Sequence, residues 1–198
     1  MYIVPLKNIE NIMALPHYSN SIASTQHYEP VYKALFEVTI FPPAAINFDQ
    51  ALLLQHVKSI GGLDGLNPAV TTTEQKFKQA TRSYAGFPEK TTLDLAMVFT
   101  MNLNHSNENY IYTALRRWCN IIWNPLNGAS GMKKDYVGSM IIVQFNRDGS
   151  IYRKIICKDA FPMGQLQVGD TLDYSDAEAA EAQLSFRCDY WDEQIVGI

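Results

Sequence analysis

The stretch Glu181-Ala182-Gln183-Leu184-Ser185-Phe186-Arg187-Cys188-Asp189-Tyr190 alternates without a break. Ala182, Leu184, Phe186, Cys188 and Tyr190 fall on one side, and Glu181, Gln183, Ser185, Arg187 and Asp189 on the other. A period of two is the mark of a strand with one face in a core and one face in water. Working outward, the same pattern recurs. Leu93, Leu95, Met97, Phe99 and Met101 oppose Asp94 and Thr100, and Ala34, Phe36, Val38 and Ile40 oppose Lys33, Glu37 and Thr39 before Pro42-Pro43 stops the run. Residues 137–145 and 151–158 read as two strands joined by Asn146-Arg147-Asp148-Gly149, whose Asp-Gly pair supplies the positive φ of a tight hairpin. Phe161-Pro162 is expected to break the chain after them.

One segment has the helical period. Ile111, Ala114, Leu115, Trp118 and Ile122 form a single apolar stripe, with Ser106 as N-cap, Glu108 in the first turn and Asn124-Pro125 as the stop. The stripe is expected to pack on a sheet. Residues 51–60, with Leu52-Leu53-Leu54 and Val57, fit a helix or a strand, and Gly61-Gly62 ends either. Residues 63–68 and 126–135 read as loops, the latter flexible, and residues 176–182 could hold a turn of helix. Residues 71–82 are rich in Thr and Gln with little apolar surface, which predicts a strand wet on at least one face. Residues 1–30 carry many breakers and no sustained period, so they read as an N-terminal arm ahead of one mainly β domain over 31–198.

Composition narrows the function. The chain has 198 residues, 47% of them hydrophobic and 18% charged, with a net charge of −4. No apolar run approaches the ~20 residues of a membrane-spanning helix, and the N-terminus lacks the features of a secretory signal. The negative balance argues against a protein that grips nucleic acid by neutralising phosphates. Cys119, Cys157 and Cys188 are too scattered for a disulfide framework or a zinc site and read as buried thiols. His17, His27, His56 and His105 have no metal-binding spacing, and Gly61-Gly62-Leu63-Asp64-Gly65 lacks the lysine of a phosphate cradle. Cys119 beside the apolar stripe reads as packing, not as a nucleophile. No catalytic or cofactor-binding residue emerges, and the expectation is a protein that is not an enzyme.

Charge is split along the chain. Residues 1–158 sum to +4, whereas residues 159–198 hold Arg187 against nine acids and sum to −8. A molecule with a positive and a negative end suits head-to-tail association.

The order of features resembles the tail tube proteins of contractile-tailed phages and related injection systems. The central helix with its aromatic stripe is followed by Lys133-Lys134-Asp135-Tyr136, a hairpin, and Lys158-Asp159-Ala160-Phe161-Pro162. An acidic spacer then leads to a closing strand that ends Cys188-Asp189-Tyr190-Trp191-Asp192-Glu193. The strand holding Arg82, with Leu95, Val98 and Phe99 beyond it, looks like the middle of such a protein. The resemblance covers roughly residues 31–193; the 30-residue arm and a larger 42–68 insertion depart from it, which fits a tube-end or baseplate-proximal member as well.

The resemblance implies a tail-tube-type β-sandwich or barrel with one flanking helix. It implies hexameric rings stacked into the inner tube of a virion tail, assembled in the host cytoplasm. Partners would be sheath, tape-measure and baseplate proteins; DNA would pass without specific binding, and neither cofactor nor membrane would be involved. On that reading Thr71, Thr73, Gln75, Gln79 and Thr81 are the candidate lumen strand, with the 137–158 hairpin as a second lining element. Lys76, Lys78 and Arg82 sit awkwardly there and should point outward or pair with acids. Lys133 and Lys134 are the candidate inter-ring partners of Asp170, Asp173 and Asp176. The alternative reading is a monomeric β-rich domain that binds a ligand or peptide.

Overall fold

The computed structural model describes residues 31–46, 50–67, 70–86, 90–102, 110–169 and 178–196. The N-terminal arm, Ser106, Glu108, Asp170, Asp173 and Asp176 lie outside the described residues. The alternating segments become strands: β1 (Phe36–Phe41), β5 (Leu93–Thr100), β6 (Gly138–Phe145), β7 (Ile151–Val168) and β8 (Glu181–Ile195). The ambiguous stretch is both things in turn, a short helix α1 (Gln50–His56) running straight into β2 (Val57–Gly61). Gly62, at φ 89°, then turns the chain into a 3-10 turn (Leu63–Leu66). A β-carbon at Gly62 would lie 2.1 Å from the Asp94 carbonyl oxygen, so glycine is required there on two counts.

Six strands form one antiparallel sheet in the order β1-β6-β7-β8-β5-β2. Its long strands β7 and β8 turn a corner together. On β7 the buried residues are Ile155 and Cys157, then Ala160 and Pro162; on β8 they are Ala182, Leu184, Phe186 and Cys188, then Trp191. Both strands therefore change parity at one place, where Lys158 pairs with Tyr190 and Ala160 with Cys188. Asp159 sits there at φ 52°, a left-handed conformation rare outside glycine. β6 pairs with β7 only as far as Ala160, and β5 pairs with β8 only from Glu181 to Cys188. The sheet thus folds at the corner into two layers that share one core, which is how a sandwich closes when strands pass from one sheet to the other. The expectation of a mainly β sandwich with a flanking helix is met.

Two sequence expectations fail at this corner. Phe161-Pro162 does not break the chain, because past Ala160 β7 has a strand neighbour on one side only. A proline there need not cost the ladder a donor. The alternation of the closing strand does not reach Tyr190, which is exposed, while Trp191 takes the inward place and donates to the Thr91 carbonyl at 3.1 Å.

The helix α2 (Tyr110–Ile122) buries Ile111, Ala114, Leu115 and Trp118 as its stripe demands. Trp118 is fully buried, its ring 5.4 Å from that of Phe186, and its indole N–H donates to the Tyr136 carbonyl at 2.7 Å. That bond ties α2 to α3 (Lys133–Tyr136), a one-turn helix in what reads as loop from the sequence. Gly138 opens β6 directly beneath the indole. A β-carbon there would meet the Phe41 carbonyl oxygen at 2.4 Å and the Trp118 ring at 3.1 Å.

Candidate assembly surfaces

Residues 71–82 are not one strand. They contain β3 (Thr72–Lys76), the turn, and the start of β4 (Thr81–Ala85), which pair as a two-stranded hairpin apart from the main sheet. Phe77 and Ala80 close the turn by reciprocal backbone bonds of 2.7 and 3.4 Å around Lys78-Gln79. Two well-matched Thr/Gln-rich halves with Lys-Gln between them could have signalled the turn, but no Gly or Asn marks it. Every residue of both strands is exposed. The hairpin carries Phe77 and Tyr84 about half exposed, with the Arg82 guanidinium 5.9 Å from the Phe77 ring. Thr71, Thr73, Gln75, Gln79 and Thr81 are thus together on one projecting element, but in two strands and outside the six-stranded sheet. Lys76, Lys78 and Arg82 project with them.

A second exposed feature follows α2. Asn124 organises the turn that stops the helix: its side chain accepts from the Leu126 N–H at 3.0 Å, and its carbonyl from the Gly128 N–H at 2.8 Å. The Gly131 N–H and the Ser130 hydroxyl satisfy the Ile122 carbonyl, and Trp123 bridges to Ser130. The backbone is well bonded, yet Leu126 is 95% exposed, with Trp123 and Met132 beside it in sequence also exposed. Sequence reasoning passed over these residues, although a leucine inside Asn-Pro-Leu-Asn-Gly was a signal that a turn presents an apolar side chain. Trp123 also lines an open groove of about 280 Å³ between α2 and the Pro162–Leu166 part of β7, with Arg116, Cys119 and Gln165.

The charged candidates are placed unevenly. Lys133 forms an ion pair with Asp189 of the same chain. That hydrogen bond raises the lysine pKa, and Lys133 meets an acid of the C-terminal segment within the subunit. Lys134 is exposed on α3. Across β5 and β8, Arg187 grips Asp94 through two bonds of 2.7 Å, and this holds the Asp94 carboxyl below the usual carboxylate range. At the corner the Lys90 ammonium lies 4.7 Å from the Tyr190 ring centre and 4.3 Å from that of Trp191. Cys157 and Cys188 are buried, and the hydrogen bond to Cys157 together with burial pushes the Cys188 thiol far above the ordinary range. Cys119 is half-buried, and its thiol is pushed up by burial.

The outward faces of the two layers differ. On β6 and β7 the outward residues include half-buried Ile141, Val143 and Ile156 beside Lys154 and Lys158, a more apolar face than a lining element was expected to have. On β5 and β8 they are Asp94, Ala96, Val98, Thr100, Glu181, Gln183, Ser185 and Arg187, mostly polar. Among the described residues no group of three His, Cys, Asp or Glu side chains could hold a metal ion, and no helix is long and apolar enough to cross a membrane.

Chains of tube and tube-cap assemblies from contractile injection systems share this fold. The tube-terminating cap of the anti-feeding prophage superposes with a TM-score of 0.55 at 17% identity, covering 85% of this chain and 93% of its own. A chain of the PVC sheath–tube complex, an extracellular contractile injection system in the extended state, gives 0.54 at 16% identity over 90% of this chain and 99% of its own. The sheath/tube terminator assembly of PVC gives 0.54 at 15% identity, covering 85% and 99%. No protein-family model matches the sequence, and no curated protein sequence matches it significantly.

Proposed function

We propose that this chain is a non-catalytic structural protein of a contractile tail or injection system, whose copies form hexameric rings that stack into an inner tube or its end. The observation that carries the reading is the β3–β4 hairpin, exposed along both strands on both faces. A two-stranded ribbon exposed along its length, as this one is among the described residues, is marginal in water, and we assign its cover to a neighbouring molecule. The shared fold supports the same reading. The half-buried apolar face of β6 and β7 is the candidate contact between neighbours in a ring. The polar face of β5 and β8, around Ala96, Ser185 and the Asp94–Arg187 pair, is the candidate conduit wall in place of Thr71–Arg82. Sheath, tape-measure and baseplate proteins are the proposed partners, and the virion tail the proposed location.

Negative-stain microscopy and sedimentation of the purified chain test this, alone and with its tail-initiation partners. Six-fold rings or hollow tubes are expected. A chain that stays monomeric at high concentration under both conditions overturns the proposal in favour of a monomeric binding domain.

A further inference from the structure

In the sequence Cys157 and Cys188 read as separate buried thiols, but the fold brings them together. Cys157 lies in the part of β7 that pairs with β6, opposite Met140, and Cys188 in the part of β8 that pairs with β5, opposite Leu93. The two cysteines therefore belong to different layers. They flank the corner, where Lys158 pairs with Tyr190 and Ala160 with Cys188. Both side chains are fully buried in the shared core, and their thiols are hydrogen-bonded to each other.

The contact distinguishes the two sulfurs. The hydrogen bond from the Cys188 thiol favours the thiolate of Cys157 and lowers its pKa against the opposing effect of burial, while Cys188 keeps its proton. Cys157 is thus the nucleophile of the pair and Cys188 the thiol that resolves its product. Cys119, the third cysteine, lies apart on α2 beside the Pro162–Leu166 groove, and burial raises its pKa.

We infer that Cys157 and Cys188 are a redox-sensitive staple across the corner, closed as a disulfide by hydrogen peroxide and reopened by a reductant. Peroxide is the oxidant that fits a pair with no exposed surface, because it is little larger than water. The Cys157 thiolate attacks one peroxide oxygen, the O–O bond breaks, and the other oxygen leaves as water with the proton that Cys157 gave up. The sulfur–oxygen bond of the resulting sulfenic acid then breaks as Cys188 attacks the Cys157 sulfur, and a second water leaves with the Cys188 proton. Two thiols are oxidised and one peroxide is reduced to two waters. The new bond ties the β6–β7 layer to the β5–β8 layer where they meet. It acts within one subunit and does not depend on the proposed tube role.

Peroxide treatment of the folded full chain tests this, in the wild type and in Cys119→Ser, which removes the outlying thiol. Remaining thiols are then alkylated, and the chain is digested with trypsin and read by mass spectrometry. The expected product is the Ile155–Lys158 peptide joined to the Cys188–Ile198 peptide, lost again after a phosphine reductant. Closing that loop should raise the melting temperature by roughly 5 °C, reversibly. Cys157→Ala and Cys188→Ala should each lose both the linked peptide and the peroxide-dependent shift, whereas Cys119→Ser keeps them. The wild-type peptide map stands even if an alanine variant fails to fold. Thiols that stay fully alkylated, oxidation that ends as sulfinic acid without a link, or a link formed no faster in the folded chain than in denaturant would each overturn the inference. So would a linked chain that melts no higher than the reduced one.

Discussion

Trp118 shows how much one residue carries. It is fully buried, packs its ring at a tilt against Phe186 and donates its indole N–H to the Tyr136 carbonyl, so Trp118→Ala should cost about 3–5 kcal/mol in chemical denaturation. An unchanged midpoint would mean that the indole does not hold α2 to the sheet. Gly138 is the complementary case. Gly138→Ala places a methyl 2.4 Å from the Phe41 carbonyl oxygen, and strand and indole must move apart; a loss of about 1–3 kcal/mol is expected. The Asp94–Arg187 pair is a smaller matter because both side chains are more than a third exposed. The Asp94 pKa is lowered in the folded state, so the pair's contribution is present above the unfolded value of ~3.9 and lost as pH falls through the folded one. At about 0.2–1 kcal/mol for an exposed pair, Asp94→Asn should lower stability by that amount near pH 7, make no difference below the folded pKa, and so flatten the acid limb of the stability profile slightly.

Among the elements, the hairpin is the one whose removal should separate folding from the proposed assembly. Its strand residues are all exposed. Replacing residues 72–85 by a short Gly/Ser link should therefore leave the melting temperature of the subunit within a few degrees of wild type while abolishing multimers in sedimentation. A collapse of the melting transition would instead make the hairpin part of the subunit's own stability. The contrast with α2 is instructive. Its stripe was legible because a 3.6-residue period pointed to one buried face, and the structure buries Ile111, Ala114, Leu115 and Trp118 there. The hairpin has no buried face, so its Thr and Gln residues left no period to read, and its turn, Lys78-Gln79, has no glycine to mark it.

At the scale of the whole molecule, the uneven charge would set the conditions for the proposed assembly. Contacts between exposed charges are screened over about 8 Å at physiological ionic strength, so added salt should shift wild-type chains toward monomers. If DNA is the cargo, the assembled conduit should bind duplex weakly even at low salt, since each neutralised phosphate adds affinity through counterion release. A titration showing tight, steeply salt-dependent binding would mean a basic wall and would displace the proposed β5–β8 face.

What the sequence determined by itself was the alternation in β1, β5 and most of β8, the Asp148-Gly149 turn and the stripe of α2. Each is a local period, and local periods need no knowledge of neighbours. The tertiary structure alone decided the corner at Asp159, the passage of Pro162 into a strand, the inward turn of Trp191 and the engagement of Lys133 with Asp189. A proline is tolerated in a strand when one side of that strand is free, and a lysine is engaged when an acid from a distant strand comes within reach. Both conditions depend on which strands become neighbours, and strand order is a property of the folded chain.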